Sequence, residues 1–249
     1  MKKGELVLLI SRENSYLTNV RNEKMHTQDG IFNLGELLNK NFGDEIKTHL
    51  NKKFTIAKPN ITDILEKRVK RLPQVITPKD IGLIISYTGI GPGSLVVDAG
   101  TGSGFLAIFL ANSIKPGRVV TYEKDKRFLK VAKENIRASG LSKFIKLKKK
   151  DITKGIDEKN VDVVTLDMKD AEKVVKHAYN ALKPGGYLVV YSPYIEQVIS
   201  VTKEVEKKNF FDIKTVENIV REWQVEKHTR PKTVGLMHTG FLTFARKVG

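Results

Sequence analysis

The sequence contains no cysteine, which excludes disulfides and thiolate-bound metal and leaves nothing that indicates an oxidising compartment. Its five histidines are scattered, a distribution that argues against a zinc site, and no metal is expected. No apolar run approaches the length of a bilayer span, so no membrane contact is expected. Met1-Lys2-Lys3-Gly4-Glu5 passes into a short strand-like run without the apolar core of a signal peptide, which makes a cytoplasmic protein the simplest expectation. Acidic residues are also few. Asp and Glu number 28 against 44 Lys and Arg, a formal net charge of +16. A surplus of that size suggests a polyanionic partner, while a lysine-rich solvated surface accounts for part of it.

At 249 residues the chain can hold one α/β domain and a small appendage. Residues 5–10 and 53–58 read as strands, with Gly30, Gly35 and Gly43 breaking up the stretch between them. Residues 1–60 are therefore expected to form a small β-rich domain that helps to hold a nucleic acid. A connecting helix and linker should occupy 61–77. From residue 78 the pattern becomes helices alternating with apolar strands, at 95–98, 118–122, 144–147, 162–167 and 187–192. That alternation implies a parallel sheet covered on both faces, over residues 78–249. After a helix near 195–208, segments 212–220 and 240–246 read as a closing antiparallel pair.

The most informative stretch is Leu95-Val-Val-Asp98-Ala99-Gly100-Thr101-Gly102-Ser103-Gly104-Phe105. An apolar strand stops on a carboxylate and turns through three glycines into a helix, whose free N–H groups favour a nucleotide-like ligand. Taken alone the loop also fits a dinucleotide fingerprint. Glu123, with Lys124 after it, ends the next strand 19 positions beyond Gly104, where a carboxylate can accept both ribose hydroxyls; a solvated strand-end Glu is the alternative. Asp151 follows the third strand, where it could meet an exocyclic amine or cap a helix. Asp167 ends the fourth, on the edge where open α/β sheets transform their ligands, with helix capping as the competing role. Gln197 lies on the same rim or is simply a first-turn helix residue. Lys146-Leu-Lys148-Lys149-Lys150 reads as edge protection before it reads as a binding patch.

These pieces, together with Arg71-Leu-Pro-Gln74-Val-Ile-Thr77-Pro78-Lys79-Asp80, Arg221-Glu222-Trp223, Arg230-Pro231, His238-Thr239-Gly240-Phe241-Leu242 and the turn His26-Thr27-Gln28-Asp29-Gly30, resemble the tRNA (adenine-N1)-methyltransferases that modify T-loop adenine 58, especially the archaeal type. The resemblance runs nearly end to end. It implies a Rossmann-like class I methyltransferase with a mostly parallel seven-stranded sheet, S-adenosylmethionine as cofactor, tRNA as partner and a homotetramer. It further implies that Gln74, Asp98, Gly100, Thr101, Gly102, Ser103, Gly104, Phe105, Glu123, Lys124, Asp151 and Asp167 bind the cofactor. Asp167 would face the target adenine as the catalytic residue, and Arg221, Trp223, Arg230 and His238 would bind substrate. Lys52, Lys53, Arg68, Lys70, Arg71 and Lys232 are further candidates for phosphate contacts. Two departures are visible: Thr77 stands where relatives often have Tyr, and Met168-Lys169-Asp170-Ala171 replaces a Pro-containing turn.

Overall fold

The structure, a computed structural model, describes residues 1–249 except Pro73, Gln74, Lys227, Val234, Leu236 and Met237. The expected cofactor role of Gln74 therefore lies outside the described residues. The chain divides into two compact units, Met1–Val69 and Lys70–Gly249.

The first unit is a four-stranded antiparallel sheet and a hairpin. Strands β1 (Leu6–Ile10), β2 (Ser15–Asn19), β5 (Glu45–Lys47) and β6 (Lys53–Ala57) run in the order β2-β1-β6-β5, and β3 (Lys24–Thr27) pairs with β4 (Gly30–Asn33). Alternation drives this unit: Phe54 and Ile56 of β6 are buried while Lys53 and Thr55 are exposed. Val7, Leu9, Phe32, Leu34, Leu37 and Ile46 complete its core, with the Phe32 and Phe54 rings edge to face at 5.0 Å. In the β3–β4 turn, Asp29 is 4% exposed yet fully satisfied. It accepts from Tyr16 Oη at 2.5 Å, Lys52 Nζ at 2.7 Å and Asn14 Nδ2 at 2.9 Å, and the Lys52 bond is the first cause of its lowered pKa. Lys52 is thus committed to the fold. Helix α1 (Ile61–Lys67), expected as a connector, closes this unit, and its Lys67 Nζ donates to the Ser15 carbonyl at 3.1 Å.

The second unit is doubly wound. In chain order it contains α2 (Pro78–Thr88), β7 (Leu95–Ala99), α3 (Phe105–Ile114), β8 (Arg118–Glu123), α4 (Lys126–Ala138), β9 (Ile145–Lys149), β10 (Val161–Leu166), α5 (Val175–Ala181), β11 (Leu182–Ser192), α6 (Ile195–Glu206), β12 (Phe210–Glu217), β13 (Trp223–Gln224), β14 (Arg230–Pro231) and β15 (Phe241–Lys247). Seven strands form one sheet in the order β12-β15-β11-β10-β7-β8-β9, with β13 and β14 forming a separate short hairpin. Strands β7 to β11 pair in parallel, and β15 runs antiparallel to both β11 and β12. Helix α3 explains the all-apolar run Phe105-Leu-Ala-Ile-Phe-Leu-Ala: seven of its ten residues are buried, as in a helix covered on nearly every side.

From β7 the chain winds outward through β8 and β9, then returns to add β10 on the other side of β7. The strand order reverses between β7 and β10. In sheets of this type the crevice at the carboxyl ends of those two strands is where ligands bind.

Candidate active site

Gly100 and Asp167 meet at that reversal. The Asp167 N–H donates to the Ala99 carbonyl at 2.8 Å, which brings the two strand ends together. Gly100 has φ +83, and a Cβ there would lie 1.8 Å from the Asp167 carbonyl oxygen. Only glycine fits, for both conformation and space. Gly102 is different: with φ +52, its missing Cβ would meet nothing closer than the Gly100 carbonyl at 3.7 Å. The space before it is open to a ligand. Gly104, φ +80, caps α3 and packs near Ala132 and Ile136 of α4.

A cleft of about 510 Å³ opens in front of this turn, lined by Leu72, Gly100, Gly102, Glu123, Phe128, Asp167 and Met168. A recess of about 50 Å³ adjoins it at Gly100, Glu123 and Met168, and includes Lys124, Lys150 and Asp151. Glu123 Oε2 accepts from the Gly102 N–H at 3.2 Å and Oε1 from the Asp125 N–H at 2.9 Å. These two bonds fix the carboxylate at the rim and leave lone pairs free for hydroxyl donors. Asp151 caps the following turn, accepting from the Thr153 N–H at 3.0 Å and Oγ1 at 2.7 Å, and those bonds lower its pKa. Capping and a place in the recess turn out to be compatible.

The other carboxylates differ sharply. Asp98 is 2% exposed, accepting from Thr121 Oγ1 at 2.6 Å and Thr165 Oγ1 at 2.8 Å. Its partners are the residues paired with it across β8 and β10. Burial pushes its pKa up. It locks the strand ends together and is not among the residues lining either cavity. Thr101 Oγ1 joins the same cluster, 2.6 Å from Thr121 Oγ1. Ser103 and Phe105 are buried as well, and Phe105 carries the Arg71 guanidinium 5.0 Å from its ring centre. Asp167, by contrast, receives no hydrogen bond at its carboxylate from the described residues, and its pKa is pushed up to about 7, by burial first and then by the charge of Asp98. An uncompensated carboxylate on a cleft wall is a group built for a ligand's donor.

The expected substrate residues lie elsewhere in the unit. Arg221 lines a second cleft of about 640 Å³, with Thr77, Lys79, Glu222, Lys232 and Thr239 among its walls. Its guanidinium is 5.8 Å from the Trp223 ring centre, and Trp223 is 54% exposed. Arg230, in the hairpin opposite Gln224, is exposed, and Lys232 pairs with Glu222 at 2.5 Å. His238 Nδ1 lies 2.5 Å from Glu217 and Nε2 3.3 Å from the Pro193 carbonyl. Both ring nitrogens face acceptors, so the Glu217 contact raises its pKa toward the cation. Gln197 sits in the first turn of α6 and lines neither cleft. Of the apolar lining, Met168 stood out in the sequence as part of the turn that departs from the family pattern, whereas Leu72 and Phe128 were given no role there.

The glycine turn at the strand reversal, a rim carboxylate on the next strand and a closing antiparallel strand define a Rossmann-like class I methyltransferase. Residues 62–233 match the family described as tRNA methyltransferase complex GCD14 subunit, and the chain belongs to that family. It is 38% identical to the tRNA (adenine(57)-N(1)/adenine(58)-N(1))-methyltransferase TrmI of Methanocaldococcus jannaschii, over 96% of this chain and 94% of that one. With the tRNA (adenine(58)-N(1))-methyltransferase TrmI of Thermus thermophilus it shares 30% identity, over 99% and 94%. A SAM-dependent O-methyltransferase structure from Thermotoga maritima superposes with a TM-score of 0.87 at 32% identity, covering 100% of this chain and 95% of that one. The fold is also that of the tRNA (m1A58) methyltransferase TrmI of Aquifex aeolicus, with a TM-score of 0.81 at 24% identity and coverage of 100% and 99%.

Proposed function

We propose that this chain transfers a methyl group from S-adenosylmethionine to N1 of adenine 58 in the T loop of tRNA. The observation that carries the reading is the Asp167 carboxylate, which has no hydrogen-bond partner among the described residues, set against the glycine turn in a family whose relatives are named for this reaction. The residues present fit the cofactor: a ligand can approach the backbone at Gly102, Glu123 keeps lone pairs for the ribose hydroxyls, and Asp151 with Lys124 borders the recess where an adenine amine would lie. When bound, S-adenosylmethionine supplies an electrophilic methyl group that needs little activation.

What the protein must add is position. Adenine N1 points into a base pair or a stack, so the base has to be taken out and held in a pocket. Asp167 accepts a hydrogen bond from the N6 amine, which sets the ring so that N1 approaches in line. Methylation leaves positive charge on the ring, and a carboxylate at N6 stabilises that charge as it develops. Arg221, Trp223, Arg230 and His238 would meet the RNA around the target, and the N-terminal unit would help to hold the tRNA. The same reading makes the enzyme a cytoplasmic homotetramer, an assembly that light scattering measures; no helix among the described residues is long and apolar enough to cross a membrane.

The deciding experiment maps the product nucleotide on an unmodified T-loop tRNA transcript. N1-methyladenine at position 58 is expected. Methylation at an oxygen, the only site type in the name of the Thermotoga relative, would refute the N1 assignment. Product at 57 as well as 58 would match the dual activity in the name of the Methanocaldococcus relative.

A further inference from the structure

One buried ion pair has no part in the chemistry above. Lys79 and Asp80 open α2 with side chains 15% and 1% exposed, Nζ to Oδ1 2.8 Å. Lys79 also donates to Thr239 Oγ1 at 2.7 Å and to the backbone carbonyl of Asn218. Asp80 Oδ2 accepts from Thr77 Oγ1 at 2.8 Å and Thr239 Oγ1 at 2.9 Å. Asn218 Nδ2 returns a bond to the Lys79 carbonyl at 2.8 Å.

Thr77 makes no side-chain cap bond to α2 and instead donates to the Asp80 carboxylate, so helix capping does not explain the pair or its bonds to 218 and 239. Nor is net stability a sufficient reason, since desolvation offsets much of what a buried ion pair gains, and such pairs are best attested as devices that fix register. The partners identify what is being fixed. The β12–β15 ladder ends at Glu217 opposite Phe241, so Asn218 and Thr239 are the two feet of the segment that leaves the sheet and returns to it. That segment carries Arg221, Trp223, Arg230 and His238. Its second foot is also pressed onto β11: Tyr191 Oη donates to the Thr239 carbonyl, and a Cβ on Gly240 would lie 2.6 Å from the Tyr191 ring. Tyr191 follows Val190, which pairs with Leu166, the residue before Asp167.

We propose that Lys79 and Asp80 are positioning residues that hold both feet of segment 218–240 against the sheet edge bearing Asp167, and so set how RNA is presented to it. This rests on the tRNA reading for its functional half, whereas the anchoring half is measurable without catalysis. Trp223 is the only tryptophan of the chain and reports the segment directly.

The test uses the full-length protein with Thr239→Val, which keeps the β-branched shape and removes the hydroxyl, alongside Asp80→Ala and Asp80→Asn. Loss of the Thr239 bonds should raise KM for an unmodified tRNA transcript about tenfold, the scale of one to two hydrogen bonds, and change kcat less than about threefold. The affinity for S-adenosylhomocysteine, by calorimetry, should stay within about twofold, and Trp223 emission should become more accessible to acrylamide. Asp80→Ala should exceed Thr239→Val in each effect, and Asp80→Asn should recover part of the loss. If Asp80→Ala fails to fold, Thr239→Val decides alone. Unchanged KM and unchanged quenching in Thr239→Val would overturn the proposal, as would S-adenosylhomocysteine affinity falling in step with KM. If the unaltered protein methylates no tRNA, the functional reading fails, and the quenching result still tells whether the pair anchors the segment.

Discussion

Replacing Asp167 with Asn should make the ligand-free protein more stable and much less active. The carboxyl stands at a pKa of about 7 in the fold because burial and Asp98 disfavour its charge. Unfolded, an Asp titrates near 4. Between those values the native state holds a proton that the unfolded chain has lost, so stability falls as pH rises through that window and levels off above it. Three pKa units correspond to about 4 kcal/mol, and since the carboxylate reaches the cleft and is partly screened, about 2 kcal/mol is the expected cost at pH 8. An amide carries no charge and avoids that cost. Thermal unfolding without ligand should therefore place Asp167→Asn above the unaltered protein at pH 8, with the gap shrinking toward pH 4. Methyl transfer should fall about a hundredfold in the same variant, the scale for one preorganised polar group at a reacting centre. In the unaltered protein kcat/KM should rise up to about pH 7, where the free enzyme's carboxylate becomes charged. A variant no more stable than its parent at pH 8, or one stabilised equally at both pH values, would refute the claim that Asp167 is held at an energetic disadvantage for the substrate.

Gly100→Ala should lose S-adenosylhomocysteine binding by calorimetry and lower the thermal midpoint, because the new methyl would meet backbone of Asp167 that has no freedom to move aside. Glu123→Gln should weaken S-adenosylhomocysteine about tenfold in the same assay, since a neutral amide accepts ribose hydroxyls less strongly than a carboxylate, while single-turnover methylation at saturating cofactor stays close to normal. tRNA binding should weaken steeply between low and moderate salt, as counterion release requires of a chain with net charge +16; a salt-independent affinity would show that the surplus lysines lie away from the RNA.

The parallel sheet was legible because its central strands are largely apolar runs punctuated by glycine and charge, although the edge strand Ile145–Lys149 is lysine-rich. Segments expected at 95–98, 118–122 and 162–167 appear as Leu95–Ala99, Arg118–Glu123 and Val161–Leu166. The family and its fold were legible as well, from the glycine turn together with the flanking signatures. Of the N-terminal unit, the β-rich character and the strands Leu6–Ile10 and Lys53–Ala57 were legible, but the strands between them were not. Its β2, β3 and β5 are short and only partly buried, and their polar residues hide the alternation on which a strand reading depends. The start of β11 was placed five residues late, because Lys183-Pro184-Gly185-Gly186 reads as a turn while tertiary pairing of Leu182 with Val161 extends the strand through it.

Site residues divide along a similar line. Asp98 and Asp167 are the same residue type at the ends of neighbouring parallel strands, and their sequence contexts do not separate them. Register does. Asp98 faces Thr121 on one side and Thr165 on the other, two hydroxyl donors set opposite it by strand pairing, whereas Asp167 lies one step beyond its strand where no such pairing continues. The satisfied acid joins strands and the unsatisfied one waits for a donor. The same physics explains why Pro-Lys-Asp near residue 80 and His-Thr-Gly near residue 240 could be recognised as signatures but not understood: their hydrogen bonds span 159 and 160 positions. A sequence records which polar residues are present. Only the fold decides which of them spend their hydrogen bonds on one another, and the remainder, Asp167 first among them, is where chemistry has to be sought.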